Sequence, residues 1–121
     1  MTDLPPLSQW AEAFAWTIAI ETPIYLLWLR KQFKGWWTPI VVSLVANALT
    51  HPALWYVVPM WEPYHEYLYV AEAGVAVIEA GVVFAALRLA HVKGGALALG
   101  CAASFTANAL STIIGLRLFG E

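Results

Sequence analysis

The sequence predicts an all-α membrane protein with four transmembrane helices. Three observations lead to this fold class: the composition, the long apolar runs and an internal repeat. Of the 121 residues, 61% are hydrophobic and only 12% are charged, which is typical of membrane proteins. A helix needs about 20 mainly apolar residues to cross roughly 30 Å of hydrocarbon, and its backbone polar groups must be paired within the segment. Four runs meet this length, so a single domain over residues 1–121 is predicted, with helices at 9–30, 38–59, 67–90 and 95–118.

The first of these runs, residues 9–30, is interpreted as a membrane helix and not as a signal peptide. It starts late and is rich in aromatic residues. It also lacks the basic leader and the small-residue cleavage site that a signal peptide needs. We therefore expect it to remain in the protein and to pack with the other three helices.

Basic residues predict how the four helices are oriented. Arg30, Lys31 and Lys34 lie between the first and second runs, and Arg88 and Lys93 lie between the third and fourth. Lys and Arg concentrate in the cytoplasmic loops of membrane proteins. Both loops are therefore assigned to the cytoplasm and both termini to the outside, as expected for a multi-pass protein of the inner (plasma) membrane.

An internal repeat relates the two halves of the chain. The first helix contains IETPIYLLWLR (20–30) and the third contains IEAGVVFAALR (78–88). The second contains SLVANALT (43–50) and the fourth contains SFTANALS (104–111). Two matches in the same order, both centred on polar residues, predict two tandem helical hairpins. Hairpins of equal orientation are related by a pseudo-two-fold axis along the membrane normal.

The repeat predicts a polar layer near the middle of the membrane. Glu21, Asn47, Glu79 and Asn108 each lie about halfway along their helix, given a rise of about 1.5 Å per residue. Each helix thus contributes one polar side chain to the same depth. We interpret these four residues as a site that binds a cation or a proton. The alternative is that they are hydrogen-bond partners that only hold the helices together, as polar residues do in many bundles.

Four further polar residues extend the layer towards the outside and predict an access path. Residues three, four or seven apart share a helix face, which places Thr50 and His51 beside Asn47, Ser111 beside Asn108 and Glu72 beside Glu79. His51 and Glu72 have no counterpart in the other half. The predicted path therefore consists of His51, Glu72, Thr50 and Ser111.

The predicted polar layer contains acidic residues without basic residues to balance their charge. A charged carboxylate at the bilayer centre costs about 2.5–3.5 kcal/mol on insertion scales, and no Lys or Arg lies at the level of the two glutamates. A proton would supply the missing positive charge. So would a divalent metal ion held by Glu21, Glu79 and His51, since carboxylates and imidazole are common metal ligands.

The predicted function is cation or proton binding by a transporter or channel component, acting in the bilayer as a homo-oligomer or with a membrane-protein partner. The rival interpretation is a non-catalytic structural or accessory subunit of a larger membrane complex. An intramembrane metalloenzyme is the weaker alternative, because the motifs of hydrolases, zinc proteases and haem proteins are missing. The chain has no basic patch that could bind nucleic acid.

Overall fold

The computed structural model describes residues 6–92 and 94–119 and confirms an all-helical chain with four helices. They are α1 (Leu7–Leu29), α2 (Trp37–Tyr56), α3 (Tyr64–Leu89) and α4 (Ala96–Phe119). Every helix lies within a few residues of its predicted position. Lys93, which entered the orientation argument, lies outside the described residues.

Two of the four helices are long and apolar enough to cross a membrane. These are α3 and the part of α4 that runs from Ala96 to Arg117. The other two have adequate length, with 23 residues in α1 and 20 in α2. However, Trp, Tyr, Pro and polar residues lower their hydropathy. The prediction of membrane-spanning helices is therefore supported for α3 and α4, and spans by α1 and α2 stay predictions.

The helices form a ring in which each one contacts two others. Consecutive helices pack together and α4 closes the ring against α1, whereas α1 and α3 face each other across the centre, as do α2 and α4. Two tandem hairpins related by a two-fold axis would have this order. A simple up-and-down bundle would have it too, so the repeat remains a prediction.

Apolar and small residues fill one end of the bundle, around Tyr25, Leu29, Val83 and Leu87. On the α3–α4 side, the backbones approach closely at Gly100, where an added Cβ would lie 3.1 Å from the Ala80 carbonyl oxygen. Elsewhere the centre of the bundle is polar. The buried polar residues are Glu21, Ser43, Asn47, Thr50, Glu79, Ser104, Asn108 and Ser111.

The outer surface has the opposite character, because large apolar side chains are exposed on all four helices. Examples are Leu27 on α1, Val45 on α2, Ile78 on α3 and Phe105 on α4. A chain that buries carboxylates and exposes aliphatic side chains has the reverse of the polarity usual for a water-soluble domain.

Candidate functional site

Glu79 lies at the centre of the bundle and receives hydrogen bonds from all three other helices. Its Oε1 accepts from the Tyr25 hydroxyl of α1 at 2.9 Å and from Asn108 Nδ2 of α4 at 3.0 Å. Its Oε2 accepts from the Thr50 hydroxyl of α2 at 2.7 Å. The side chain is fully buried. Both of its oxygens are therefore occupied by donors, as a buried carboxyl group requires.

Glu21 is as deeply buried as Glu79 but is only half satisfied. Its Oε2 accepts a hydrogen bond of 2.5 Å from the Ser111 hydroxyl, whereas its Oε1 is buried without a partner among the described residues. Asn47 lies close enough to interact with the Glu21 carboxylate. Its Nδ2 donates to the Ser43 carbonyl at 2.9 Å and makes no hydrogen bond to Glu21 Oε1. The two glutamates thus have similar sequence contexts and different surroundings.

The hydrogen bonds around the two glutamates form matching pairs. Thr50 donates to Glu79 as Ser111 donates to Glu21. Asn108, like Asn47, donates to the carbonyl four residues earlier in its own helix, again at 2.9 Å. These are the pairs that the predicted repeat aligns.

Two donors to Glu79, Tyr25 and Asn108, have no equivalent at Glu21. Tyr25 lies on α1, and the repeat aligns it with Val83 on α3, which has no hydroxyl to donate. Tyr25 is buried and reaches across the centre of the ring to Glu79. Asn108 also donates to Glu79 Oε1, whereas Asn47 makes no such hydrogen bond to Glu21 Oε1, so the two carboxyl groups differ in both donors.

Each of the two glutamates is hydrogen-bonded to a hydroxyl group that also lies near a backbone carbonyl. Thr50 Oγ1 is 2.7 Å from Glu79 Oε2 and 3.1 Å from the Ala46 carbonyl oxygen. Ser111 Oγ is 2.5 Å from Glu21 Oε2 and 3.2 Å from the Asn108 carbonyl oxygen. A hydroxyl has one hydrogen and two lone pairs. It can therefore donate to a carboxylate, or accept from a neutral carboxyl and donate to the carbonyl.

A partly open cavity lies beside Glu21 on the side of His51 and Glu72. It offers a volume of about 90 Å³ to the centres of water-sized molecules, which is room for several waters because one needs about 10–15 Å³ by this measure. The lining residues are Thr17, Glu21, His51, Leu54, Trp55, Glu72, Val75, Asn108, Ser111 and Thr112.

The two polar residues without a repeat counterpart both line this cavity. Glu72 Oε2 accepts a hydrogen bond of 3.0 Å from the Thr112 hydroxyl. The His51 ring packs edge-on against Phe14, with ring centres 5.5 Å apart. His51 Nδ1 is buried and lacks a partner within the described part of the chain.

The electrostatic environment of the cavity is negative. Glu72 and Glu79 both place a like charge close to Glu21, and the lining contains neither Lys nor Arg. Like charges repel strongly where water is largely excluded. A proton or a cation in the cavity would offset this repulsion.

Five of the eight predicted site residues line the cavity, and the other three do not. Glu21, Asn108, Ser111, His51 and Glu72 line one cavity. The remaining three, Glu79, Asn47 and Thr50, are not part of that lining. Within residues 6–92 and 94–119, no group of three or more His, Cys, Asp or Glu side chains could hold a metal ion. The arrangement therefore offers no support for a metal site on Glu21, Glu79 and His51.

Tyr25 and Thr112 belong to the site but were not among the predicted site residues. Each lies four residues after a predicted one, Glu21 and Asn108 respectively, and so shares its helix face. That spacing was the available signal. It does not tell which carboxyl group the hydroxyl reaches, since Tyr25 bonds to Glu79 and not to its neighbour Glu21.

Comparisons of the chain with protein-family models, curated proteins and solved structures found no match.

Proposed function

We propose that the chain is a multi-pass protein of the inner membrane in which all four helices span the bilayer. The inverted polarity supports this, because exposed aliphatic side chains on every helix are stable against lipid and the buried polar residues are shielded from it. The lengths of α1 and α2 also suffice, since 20 residues of helix extend about 30 Å. The basic loop between α1 and α2 then faces the cytoplasm, and both termini lie outside.

Within this membrane protein, we propose that Glu21 binds a proton or a cation as part of a transporter or channel. One observation carries the proposal. Glu21 is 1% exposed, one of its oxygens is buried without a partner among the described residues, and it lines a cavity large enough for several waters. Unsatisfied buried polar atoms are rare in folded proteins. A proton, a cation or water in the adjoining cavity can supply the missing partner.

The hydroxyl groups favour a site that can change its protonation state. When Glu21 is ionised, Ser111 donates to it; when Glu21 is neutral, Ser111 can accept from it and donate to the Asn108 carbonyl. Neither state leaves the hydroxyl unpaired. A proton can therefore arrive and leave without rearrangement of the helices.

The rival function, a structural subunit whose polar layer joins the helices, is favoured by Glu79. Its three donors come from three helices and satisfy both of its oxygens. Glu21 does not fit that role, because a purely structural carboxyl group would be fully paired. We therefore assign joining of the helices to Glu79 and binding to Glu21. Assembly into an oligomer, or with a membrane partner, is proposed for transport because four helices are few for a complete pathway.

The decisive experiment replaces each glutamate by glutamine in the purified, detergent-solubilised protein. Infrared difference spectra between acid and neutral pH would detect protonation of a buried carboxyl group by its C=O stretch. We expect Glu21→Gln to remove a buried-carboxyl band that Glu79→Gln retains, because both oxygens of Glu79 are paired whereas Glu21 Oε1 has no partner among the described residues. Glu66→Gln, at an exposed position near the start of α3, is the matched control and should resemble the parent.

The same samples yield melting temperatures with and without added cations. Binding to the folded state raises the melting temperature by mass action, and we expect Glu21→Gln to abolish any such rise. If the parent shows neither a buried-carboxyl band nor a response to pH or ions, the polar layer is architecture and the binding function is wrong.

A further inference from the structure

Two lining residues of the cavity beside Glu21 each contribute a buried hydrogen-bond acceptor. Glu21 Oε1 and His51 Nδ1 are buried without partners among the described residues, and Nδ1 is an acceptor when the imidazole proton is on Nε2. Ser111 and Thr112 direct their hydroxyl hydrogens to Glu21 and Glu72. Their remaining lone pairs are acceptors as well. A ligand that completes this cavity must therefore donate hydrogen bonds.

The charge of the lining indicates that this ligand is positive. Glu21 and Glu72 contribute two carboxyl groups, and no Lys or Arg is among the lining residues. A neutral donor such as an alcohol would satisfy the hydrogen bonds but would leave the carboxylates uncompensated. A cation with N–H groups would meet both requirements, since hydrogen bonds between ammonium and carboxylate groups are among the strongest in proteins.

The walls of the cavity distinguish an organic cation from a bare metal ion. No group of three or more metal-ligating side chains occurs in the described part of the chain. Leu54, Val75 and Trp55 provide apolar and aromatic surface next to the carboxylates. Apolar walls suit an alkyl group, and the face of an aromatic ring attracts a cation.

We propose that the cavity bounded by Glu21, Glu72, His51 and Trp55 binds a small primary ammonium ion, with its N–H groups donating to the carboxylates and its alkyl group against Leu54 and Val75. This inference rests on the proposed cation-binding function of Glu21 and names the class of ligand. The binding is non-covalent. The volume of about 90 Å³ admits a ligand of only a few non-hydrogen atoms.

Protons compete for the same site. The titratable groups that face Glu21 are His51 from α2 and Glu72 and Glu79 from α3, with Tyr25 on α1 itself. From α4 come Asn108, Ser111 and Thr112, none of which titrates. Protonation of Glu21 or Glu72 removes an acceptor and a negative charge, and protonation of His51 adds a positive charge. Ammonium binding should therefore weaken as the pH falls.

The test compares two cations of similar chemistry on the purified full-length protein. Methylammonium chloride has N–H donors, whereas tetramethylammonium chloride has none and is larger, and sodium chloride at equal ionic strength is the salt control. We expect a saturable rise in melting temperature with methylammonium, absent with the other two. Isothermal titration calorimetry should give a dissociation constant that increases at least tenfold as the pH is lowered from alkaline to acid values. An equal response to all three salts would overturn the inference.

Glu72→Gln provides a second test of the ammonium site, and this test does not depend on Glu21. It should weaken methylammonium binding at least tenfold, whereas Glu66→Gln, on the exposed part of the same helix, should leave it unchanged. Undiminished binding by Glu72→Gln would contradict the inference. The comparison of the salts on the parent protein remains decisive even if this variant does not fold.

The infrared and methylammonium experiments together distinguish failure of the proposed ligand class from failure of the proposed function. If the buried-carboxyl band of Glu21 is present but methylammonium has no specific effect, Glu21 binds protons and the ammonium site is wrong. If both are absent, the ligand class and the binding function fail together.

Discussion

At the scale of single residues, the main feature is that two glutamates in similar sequence contexts have different hydrogen bonding. Each is buried and each accepts from a hydroxyl of the helix that follows or precedes it in the ring. Only Glu79 has a tyrosine donor, because Tyr25 has an aliphatic counterpart in the other half of the chain. Asn108 donates to the same oxygen of Glu79, whereas Glu21 Oε1 has neither kind of donor among the described residues.

Removing the Tyr25 hydroxyl tests this assignment. Tyr25→Phe keeps the ring but deprives Glu79 Oε1 of one donor, and the loss of a hydrogen bond to a buried group typically costs about 1–3 kcal/mol of unfolding free energy. We expect a loss of this size in thermal or denaturant unfolding, with the buried-carboxyl band of Glu21 unchanged.

Tyr67→Phe is the matched control for this substitution. Tyr67 is also buried, and its ring packs edge-on against Trp61. It makes no hydrogen bond to a carboxyl group within the described residues. Its replacement should change stability by much less. Equal effects of the two substitutions would show that the Tyr25–Glu79 bond does not stabilise the bundle.

At the scale of helices, close packing of α3 against α4 positions Asn108 and Ser111 towards the two glutamates. Gly100 permits this approach, since a Cβ there would lie 3.1 Å from the Ala80 carbonyl oxygen and 3.3 Å from the Phe84 amide nitrogen. Both are backbone atoms and cannot move aside as a flexible side chain could. Small residues at helix contacts are the usual means of close approach in membrane bundles.

Substitutions at two glycines of α4 should have opposite effects. Gly100→Ala should lower the unfolding free energy by about 1–3 kcal/mol, as overpacking does. Gly115→Ala, where an added Cβ meets no atom within 4 Å among the described residues, should raise it by up to about 1 kcal/mol because alanine favours helix. Melting temperatures of the two variants provide the measurement. A stabilising Gly100→Ala would mean that the α3–α4 contact is looser than described.

At the scale of the whole molecule, the distribution of polar and apolar residues favours an apolar environment around the helices. The centre contains carboxyl, amide and hydroxyl groups, while large aliphatic and aromatic side chains cover the outside. In water, such an arrangement would expose far more apolar surface than soluble monomers do. Lipid around all four helices removes this conflict, which is the reason to propose four spans although hydropathy supports only two.

Labelling of single cysteines distinguishes four spans from two. In a Cys101→Ala background, which removes the only native cysteine, cysteines would be placed at Ser8, Gln32 and Glu62, all of which are exposed. With four spans, a membrane-impermeant maleimide should label Ser8→Cys and Glu62→Cys in intact cells and Gln32→Cys only after permeabilisation. If only α3 and α4 cross the membrane, all three positions should lie on the same side and label alike.

The sequence by itself determined the helices and the identity of the polar residues at their centres. Apolar runs bounded by loop residues set the approximate ends of α1 to α4, because helix formation in such runs depends on local composition. A carboxyl or amide group within an apolar run must face the interior, so the burial of Glu21, Asn47, Glu79 and Asn108 could also be anticipated. The cavity could not be anticipated from the sequence, and neither could the absence of Glu79 from its lining.

The tertiary structure decided which donor reaches which carboxyl group. The Tyr25–Glu79 bond joins residues 54 positions apart, and the Ser111–Glu21 bond joins residues 90 positions apart. Such pairings depend on how far each helix is rotated and shifted against its neighbours, and side-chain volumes across the whole bundle set those displacements. A different rotation of the helices would change which donor reaches each glutamate without changing the helical pattern. For this reason the sequence identified a layer with one polar residue per helix, and only the packed bundle separated a saturated Glu79 from a Glu21 open to a cavity.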